Sequence, residues 1–328
     1  MKWSGSKIAP VLTVTPNPAI DKAVEAPGFA PGRHVRARVL RTTPAGKGIN
    51  VARGVAALGG HAEASALVGC GEEARFAALL DGEGISARLV TVEGPTRINT
   101  TILDPEQHTT THLREEGFHV SEGDVERLKD AVLETISSIR KDVRKPAVAF
   151  CGSLPPGFSP PAFASILKAA GEAGGHIAVD TSDDALRAAL ESGAVDVLKP
   201  NLAELGQCLG REVNAGEGPR MAGELLDRVG RVLLTLGEAG AYHIGPDGVV
   251  GARCPVEAER VTNTVGAGDA FLAGWLCARS RGWSVEKSLS WAVSTGSASV
   301  TSRGPVEYDS EAVRRAQERC EKLRSCAS

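Results

Sequence analysis

The sequence predicts an α/β fold in which a central, mostly parallel sheet is covered by helices on both faces. Strand-like and helix-like segments alternate along most of the chain, and the strand-like segments are short, nearly continuous apolar runs. That combination is typical of parallel strands that are buried on both sides. Hydrophobic residues make up 42% of the 328 residues and aromatic residues only 4%, so aliphatic side chains must build most of the core.

The elements follow from two local patterns. Short apolar runs predict strands, and apolar residues three or four positions apart predict helices. Val51, Val55 and Leu58 show helical spacing before the helix stop Gly59-Gly60. The patterns predict strands at 11–15, 64–68, 147–151, 177–180, 195–198 and 232–236. They predict helices at 49–58, 76–80, 125–139, 162–173 and 185–190, followed by three C-terminal helices.

Two regions break this alternation. Residues 25–44 hold polar, arginine-rich strand-like pieces, and residues 88–114 hold three β-rich pieces at 89–92, 99–103 and 109–113 with no helix between them. Consecutive strands without crossover helices favour antiparallel pairing. We therefore expect one domain over 1–328 that carries a small β lid formed by about 22–44 and 88–115. The alternative is an edge extension of the main sheet.

Composition excludes several functional classes. The net charge is −3 without a basic block, which argues against a nucleic-acid groove. No apolar run approaches the roughly 20 residues that span a bilayer. The seven cysteines form no C-x-x-C pair, so a zinc site or a disulfide framework is not expected. A cytoplasmic location is the natural expectation.

The most informative segment is 261–271, V-T-N-T-V-G-A-G-D-A-F. Gly266, Ala267 and Gly268 are small enough to let backbone amides approach an anion, and an apolar run suited to a helix follows. A helix N-terminus offers unpaired N–H donors and partial positive charge, which suit a phosphate. Asp269 in the first turn could take a proton from a neighbouring hydroxyl, as phosphoryl transfer to an alcohol requires.

Two other glycine-containing segments are ambiguous. Ala45-Gly46-Lys47-Gly48 is not a Walker A loop, because Gly48 stands where a magnesium-binding Ser or Thr belongs. It suits a second anion or sugar hydroxyls, with Asn50 one turn on, but a tight turn with a solvated lysine fits equally well. Residues 69–74 match the dinucleotide fingerprint G-x-G-x-x-A, yet two adjacent glutamates would face the pyrophosphate, so an ordinary turn is favoured.

Further candidates follow predicted strands. Asn201 and Glu204, in K-P-N-L-A-E, could hold magnesium, although an N-cap with its capping-box partner explains the same spacing. Asp21 lies just beyond the first strand, and Arg97 in the lid could bind a phosphate or be a surface charge. Thr235 and Gly237 could shape a nucleotide pocket or simply form a turn.

Taken together, the chain resembles the ribokinase-like PfkB carbohydrate kinases over nearly its whole length. Within them it is most similar to the phosphosugar branch of 1-phosphofructokinase, tagatose-6-phosphate kinase and the minor 6-phosphofructokinase. The resemblance is carried by these segments: T-P-N-P-A-I-D (15–21), A-G-K-G-I-N-V-A-R (45–53), T-R-I-N (96–99), C-G-S-L-P-P-G (151–157), V-D-T-S (179–182), K-P-N-x-x-E (199–204), T-L-G (235–237) and T-V-G-A-G-D (264–269).

The resemblance implies a ribokinase-like three-layer sandwich with a β lid, and use of ATP and Mg²⁺. Asp269 would be the catalytic base, beside an anion hole from Gly266, Ala267 and Gly268. Asn201 and Glu204 would organise the metal. The remaining implied roles are ATP contacts for Lys199, Thr235, Gly237 and Thr264, sugar contacts for Asp21, Gly46 and Asn50, and contacts of Lys47 and Arg97 with the phosphate already on the substrate.

Some positions depart from the family pattern on the substrate side. Ala45 replaces a glycine, Arg114 begins a segment that usually reads N-E-P-G-P, Thr100-Thr101 stand where a lysine is frequent, and Ser299 replaces an asparagine near adenine. We expect phosphorylation of fructose 1-phosphate, with tagatose 6-phosphate or fructose 6-phosphate as alternative substrates. A catalytically silent sugar-phosphate-binding protein and a nicotinamide dehydrogenase are the other classes. A homodimer through the lid is expected by analogy.

Overall fold

The computed structural model describes residues 9–302, 304 and 306–323 of the chain. In chain order its strands are β1 (Val11–Thr15), β2 (Ala19–Glu25), β3 (Arg38–Ala45), β4 (Ala62–Gly69), β5 (Ser86–Val92), β6 (Ile98–Asp104), β7 (Thr109–Arg114), β8 (Ala147–Cys151), β9 (His176–Asp180), β10 (Val197–Leu198), β11 (Val232–Thr235), β12 (Ala241–Gly245), β13 (Gly248–Arg253) and β14 (Glu321–Leu323).

Ten α-helices accompany these strands within the described residues. They are α1 (Lys47–Ala57), α2 (Glu73–Asp81), α3 (Glu122–Ile139), α4 (Pro160–Glu172), α5 (Asp183–Ser192), α6 (Leu202–Leu209), α7 (Gly218–Ala222), α8 (Ala267–Ser280), α9 (Val285–Val300) and α10 (Ser310–Gln317). The predicted α/β class is confirmed. None of the helices in the described ranges combines the length and hydropathy needed to cross a lipid bilayer.

The main sheet runs in the order β14-β13-β12-β11-β10-β9-β8-β1-β4-β5. From β11 to β5 all neighbours pair in parallel, whereas β12, β13 and β14 extend one edge in antiparallel fashion. The chain moves outward from β1 to β4 and β5, and later outward from β8 in the other direction. Beside β1 the strand order therefore reverses, and ligands of such sheets bind outside the carboxyl ends of the strands at that point.

The sheet separates two apolar cores. One core contains Leu128 of α3 and Leu167 of α4, and the other contains Val55 of α1 and Trp275 of α8. Side chains from successive positions of one strand enter opposite cores, as Val148 and Ala149 of β8 do. Helices α1 and α8 consequently share one face of the sheet, and their N-termini reach the same edge.

The lid is a separate four-stranded sheet in the order β3-β2-β6-β7. One expectation about it is wrong. The piece at 89–92 belongs to β5 in the main sheet, because α2 provides the crossover that makes β4 and β5 a parallel pair. Strands β2 and β6 pair in parallel, and only β2–β3 and β6–β7 are antiparallel.

Helices α1 and α8 approach closely at Gly54. A Cβ atom on Gly54 would lie 2.6 Å from the Ala273 Cβ and 2.8 Å from the Tyr308 Oη. Only a residue without a side chain fits there without displacing a neighbour. The distance between the two helices thus depends on one glycine.

We expect Gly54→Ala to lower the free energy of unfolding by roughly 1–3 kcal/mol, because the added methyl overpacks this contact. Chemical denaturation measures the change. Adding Ala273→Gly should recover part of the loss. Gly223→Ala is the control, since a Cβ at Gly223 has no neighbour within 4 Å. Equal unfolding free energies for the Gly54 variant and the wild-type protein would contradict the packing argument.

Candidate active site

Helix α8 begins at the glycine turn that the sequence singled out. Gly266 is its N-cap residue and has φ 82°, a left-handed conformation that favours glycine. No side chain caps the helix, so none competes for the amides of its first turn, which have no intrahelical partners. Asp269 lies in that first turn. The anion cradle and the carboxylate expected from the sequence therefore lie within one turn of helix.

Asp269 is only 6% exposed, and its Oδ2 accepts a hydrogen bond of 2.8 Å from Asn50 Nδ2 of α1. Burial and the negative charge of Asp180 raise the pKa of Asp269 to about 6, against the effects of Asn50, Lys47 and Lys199. At neutral pH the carboxylate is mainly ionised and can still accept a proton. That is the range in which a general base works best.

Two lysines converge on the fully buried Asp180. Lys47 Nζ lies 2.9 Å from Asp180 Oδ1, and Lys199 Nζ lies 3.1 Å from Oδ2. Burial favours the neutral acid, yet Lys199 and Lys47 hold the pKa of Asp180 below its ordinary value. Burial likewise opposes the charge on Lys47, but attraction by Asp180 raises its pKa. Asp180 thus holds both ammonium groups in place and favours the charged form of Lys47.

Lys199 is also next to the anion cradle. A Cβ atom on Gly268 would lie 3.4 Å from Lys199 Nζ, so the ammonium group stands beside the first turn of α8. Lys199 is 5% exposed and follows the end of β10 directly. A positive charge and a helix N-terminus therefore act on the same small volume, which suits a phosphoryl group.

Helix α1 repeats the arrangement of α8. Its N-cap is Gly46, with φ 130°, and no side chain caps it. A Cβ atom on Gly46 would lie 2.7 Å from Thr15 Cγ2 and 3.3 Å from Pro18 Cα, so the turn needs glycine for space as well as for conformation. Lys47, which the sequence left between a functional lysine and a solvated one, is paired with Asp180.

The lid faces the main body across a cleft of about 600 Å³. Asp21, Asn99 and Arg114 are register partners on β2, β6 and β7 and form a polar row that lines this cleft. Asn99 Nδ2 donates to Asp21 Oδ1 at 2.9 Å. On the opposite wall the segment 261–265, including Thr264, leads directly into the glycine turn. Asp269 itself is not among the residues that line this cleft.

Arg97 is partly committed to the backbone. Its Nε donates to the Pro18 carbonyl at 3.1 Å, and its Nη2 donates to the Asn17 carbonyl at 2.9 Å. These bonds fix the guanidinium beside the loop that joins β1 to β2. Burial, the nearby charge of Arg114 and an opposing attraction by Asp21 leave the pKa of Arg97 lowered. Two guanidinium groups therefore lie near each other at the lid.

The capping arrangement that the spacing of Asn201 and Glu204 allowed is present. Asn201 Oδ1 accepts from the Glu204 amide at 2.9 Å, and Glu204 Oε2 accepts from the Asn201 amide at 2.8 Å. Across the described part of the chain, no cluster of three or more His, Cys, Asp or Glu side chains could hold a metal ion. Thr235 forms an isolated bridge with Asn201, and Gly237, with φ 59°, starts the turn after β11.

The remaining fingerprint, at 69–74, is a structural turn. Glu72 Oε2 accepts from the Thr96 amide at 2.7 Å, and Gly69 donates to Thr96 Oγ1 at 2.9 Å. A Cβ atom on Gly69 would lie 2.5 Å from the Gly94 carbonyl oxygen. The glycine and the glutamate are used to pack the entrance of the lid against the sheet.

The structure thus joins Asp269, Asn50, Lys47 and Lys199 around Asp180, and places Asp21 on the facing lid. Asp180 had no role assigned from the sequence, although a carboxylate that ends an otherwise apolar strand was a usable signal. Arg53 was also overlooked, since its contacts with Asn50, Pro44 and Glu83 form only when α1, β3 and the turn after α2 pack together.

Comparison with known proteins gives a consistent result. A family model described as pfkB family carbohydrate kinase matches residues 15–312. The 1-phosphofructokinase of Rhodobacter capsulatus is 35% identical over 274 residues, which cover 83% of this chain and 84% of that protein. The 1-phosphofructokinase of Haloferax volcanii is 35% identical over 308 residues, or 92% and 95% of the two chains. A crystal structure of phosphofructokinase-2 from Escherichia coli in complex with fructose-6-phosphate is similar at a TM-score of 0.83 and 26% identity, covering 94% of this chain and 98% of that one.

The pKa of Asp269 can be tested directly by carbon-13 NMR of its carboxyl group, assigned with Asp269→Asn. We expect a titration midpoint near pH 6. In Asp180→Asn a neighbouring negative charge is lost, so the ionised form of Asp269 becomes more stable. The titration midpoint of Asp269 therefore moves to lower pH. An unchanged midpoint, or one that moves to higher pH, would contradict the assigned electrostatics.

Proposed function

Because the chain belongs to the pfkB family of carbohydrate kinases, we propose that it transfers the γ-phosphoryl group of ATP to a ketose phosphate, with fructose 1-phosphate as the foremost substrate and fructose 1,6-bisphosphate as product. The observation that carries this proposal is the ionisable carboxylate of Asp269 in the first, uncapped turn of α8. The substrate follows the two 1-phosphofructokinases that are each 35% identical to this chain.

The proton transfer follows from the position of Asp269. The 6-hydroxyl oxygen of the sugar attacks the γ-phosphorus, the bond from that phosphorus to the bridging oxygen breaks, and ADP leaves with the electron pair. The hydroxyl proton passes to Asp269. Asn50 holds Oδ2, which leaves Oδ1 as the oxygen that takes the proton. With a pKa of about 6, the carboxylate is ready to accept it at neutral pH.

Groups with positive charge or partial positive charge are proposed to stabilise the transferred phosphoryl group. The amides at the start of α8 and the ammonium group of Lys199 lie beside each other, and we assign both to the transferred group. Because Asp180 and the helix hold these donors in place beforehand, little reorganisation is needed as charge develops. Gly266, Ala267 and Gly268 contribute by their small size and by the conformation of the turn.

The phosphate already present on the sugar needs a separate anion site. We assign it to Lys47 and Arg97, with the sugar hydroxyls bound by Asp21, Gly46 and Asn50. Arg97 uses two of its nitrogens on backbone carbonyls, so its Nη1 is the group that we assign to the phosphate. Arg114 adds a further positive charge on the polar row of the lid.

The residues present fit bound Mg-ATP. Mg²⁺ prefers phosphate oxygens, water and one or two carboxylates. Glu204 offers its Oε1 while Oε2 caps α6, and Asn201 holds that turn in shape. Lys199, Thr235, Gly237 and Thr264 are proposed to lie along the nucleotide. When bound, the metal ion neutralises the phosphate charges that face the acceptor.

We also propose a homodimer through the lid and a cytoplasmic location. Val39 and Leu40 on the edge strand β3 are 53% and 44% exposed. An exposed strand edge with apolar side chains favours pairing with another chain. Analytical ultracentrifugation of the wild-type protein and of Val39→Lys tests the dimer.

The central experiment measures kcat/KM with Mg-ATP and a panel of acceptors. We expect fructose 1-phosphate to exceed fructose 6-phosphate and tagatose 6-phosphate by about 10-fold, and the unphosphorylated sugars by ~100-fold, since bound phosphates contribute through fixed cations. Preference for fructose 6-phosphate would point to the activity named for the E. coli relative, an ATP-dependent 6-phosphofructokinase that is 29% identical.

Lys47→Met should weaken the preference for phosphorylated sugars. Lys145→Met is the matched control, because Lys145 also pairs with an aspartate, Asp196, at 3.1 Å, but lies at the other end of β9 and β10. Turnover of unphosphorylated sugars alone would refute the assigned phosphate site, and tight binding without turnover would refute the kinase assignment.

A further inference from the structure

A chain of hydrogen bonds continues behind the carboxylate of Asp269. Arg53 on α1 donates from Nη1 to Asn50 Oδ1 at 2.8 Å, and Asn50 donates in turn to Asp269. The rest of the guanidinium is anchored twice. Nε and Nη2 donate to the two carboxylate oxygens of Glu83 at 2.7 and 3.0 Å, and Nη2 also donates to the Pro44 carbonyl at 2.9 Å.

This arrangement determines the orientation of the Asn50 amide. A guanidinium can only donate hydrogen bonds, and an ionised carboxylate can only accept them. With Arg53 on one side and Asp269 on the other, only one orientation satisfies both neighbours: the oxygen faces Arg53 and the NH₂ group faces Asp269. Without Arg53, Asp269 alone would favour this orientation of the Asn50 amide, and the amide oxygen would lose its hydrogen-bond donor.

The geometry of helix α1 supports the same chain of hydrogen bonds. Asn50 and Arg53 are three residues apart and therefore share a face of α1. Gly54 brings that face close to Ala273 of α8, which lies one turn beyond Asp269. The arginine side chain is only 15% exposed. Its anchors come from different elements, since Pro44 belongs to the lid strand β3 and Glu83 follows α2.

Building on the proposed kinase activity, we propose that Arg53 is a positioning residue for the catalytic base: it orients Asn50, and Asn50 fixes Oδ2 of Asp269 so that Oδ1 takes the proton. Arg53 does not touch the reacting atoms. Through Pro44 the same guanidinium also ties the base to the root of the lid. Position 53 is therefore important for catalysis beyond its part in packing.

The wider surroundings of Asp269 do not replace this contact. The other charged or titratable groups that face it come from β8, β9, the end of β10, α1 and the segment before α10. They are Cys151, Asp180, Lys199, Lys47 and Tyr308. Among these side chains and Asn50, only Asn50 donates a hydrogen bond to Asp269 that fixes a single oxygen at a known distance.

The test follows the titration of the Asp269 carboxyl by carbon-13 NMR together with the pH profile of kcat. Losing the Asn50 donor makes the ionised carboxylate less stable, so the midpoint of Asp269 should rise. We expect a rise of about one pH unit in Asn50→Ala and about half a unit in Arg53→Met, with the acidic limb of kcat moving the same way. The titration of the substrate phosphates is common to all variants and cancels in the comparison.

Further variants separate positioning from packing. Arg53→Met/Glu83→Gln removes the unpaired carboxylate that the single variant leaves, so it keeps the test open if Arg53→Met folds poorly. Arg53→Lys retains one donor and should give a smaller shift. Arg127→Met is the matched control, since Arg127 also donates to an aspartate and a backbone carbonyl but lies on α3, on the other face of the sheet. In Arg53→Met we expect kcat to fall about 10-fold, as for other supporting contacts, with KM little changed.

The Arg53→Met/Asn50→Ala double variant should shift the midpoint no further than Asn50→Ala alone, because Arg53 acts through Asn50. The proposal is overturned if Arg53→Met and the Glu83 double variant fold and leave the midpoint of Asp269 where it is in Arg127→Met. The NMR titration needs no turnover. If the wild-type protein had no kinase activity but Arg53→Met still shifted the midpoint of Asp269, the proposed function would be refuted and the positioning role of Arg53 would stand.

Discussion

Two carboxylates buried beside two lysines form the arrangement on which the rest of the site depends. Asp180 is inaccessible to solvent and binds both Lys47 and Lys199, while Asp269 lies nearby and bonds to Asn50. A buried charge is tolerated only where it is paired and hydrogen-bonded. Asp180 meets this condition through Lys47 and Lys199, whose ammonium groups it holds in place. Asp269 meets it less completely, and its raised pKa is the consequence that makes it a usable base.

The fold explains why these groups meet. β1, β9 and β10 end at one edge of the parallel sheet, and α1 and α8 begin there after Gly46 and Gly266. Both helices direct uncapped N-termini toward the same region, and Gly54 lets them pack closely enough for Asn50 to reach Asp269. The lid then places the row of Asp21, Asn99 and Arg114 opposite the segment that leads into α8. The polar row of the lid and the buried Asp180 thus belong to different sheets of the fold.

Local sequence patterns were sufficient to predict much of the fold and part of the candidate site. Glycines before an apolar helix predict the cradle and Asp269, and apolar periodicity predicts α1, α3 and most parallel strands. The segment at 89–92 was misplaced because three strand-like pieces in a row suggest a meander, whereas pairing depends on the helix before them. The spacing of Asn201 and Glu204 could not separate a cap from a metal site, because one geometry serves both. Asp180 binds Lys47, which lies more than a hundred residues away, and Arg53 is anchored by Pro44 and Glu83 in other elements. No local pattern records such contacts.

The most direct measurement of the central claim is the single-turnover rate of phosphoryl transfer in Asp269→Asn, followed by rapid quench at pH 8 with Mg-ATP and fructose 1-phosphate. The amide retains the shape of the side chain and its place at the start of α8 but cannot accept the proton. The account predicts that both substrates still bind and that the rate falls by at least ~10²-fold. A variant that binds both substrates and transfers the phosphoryl group at a rate close to that of the wild-type protein would contradict it.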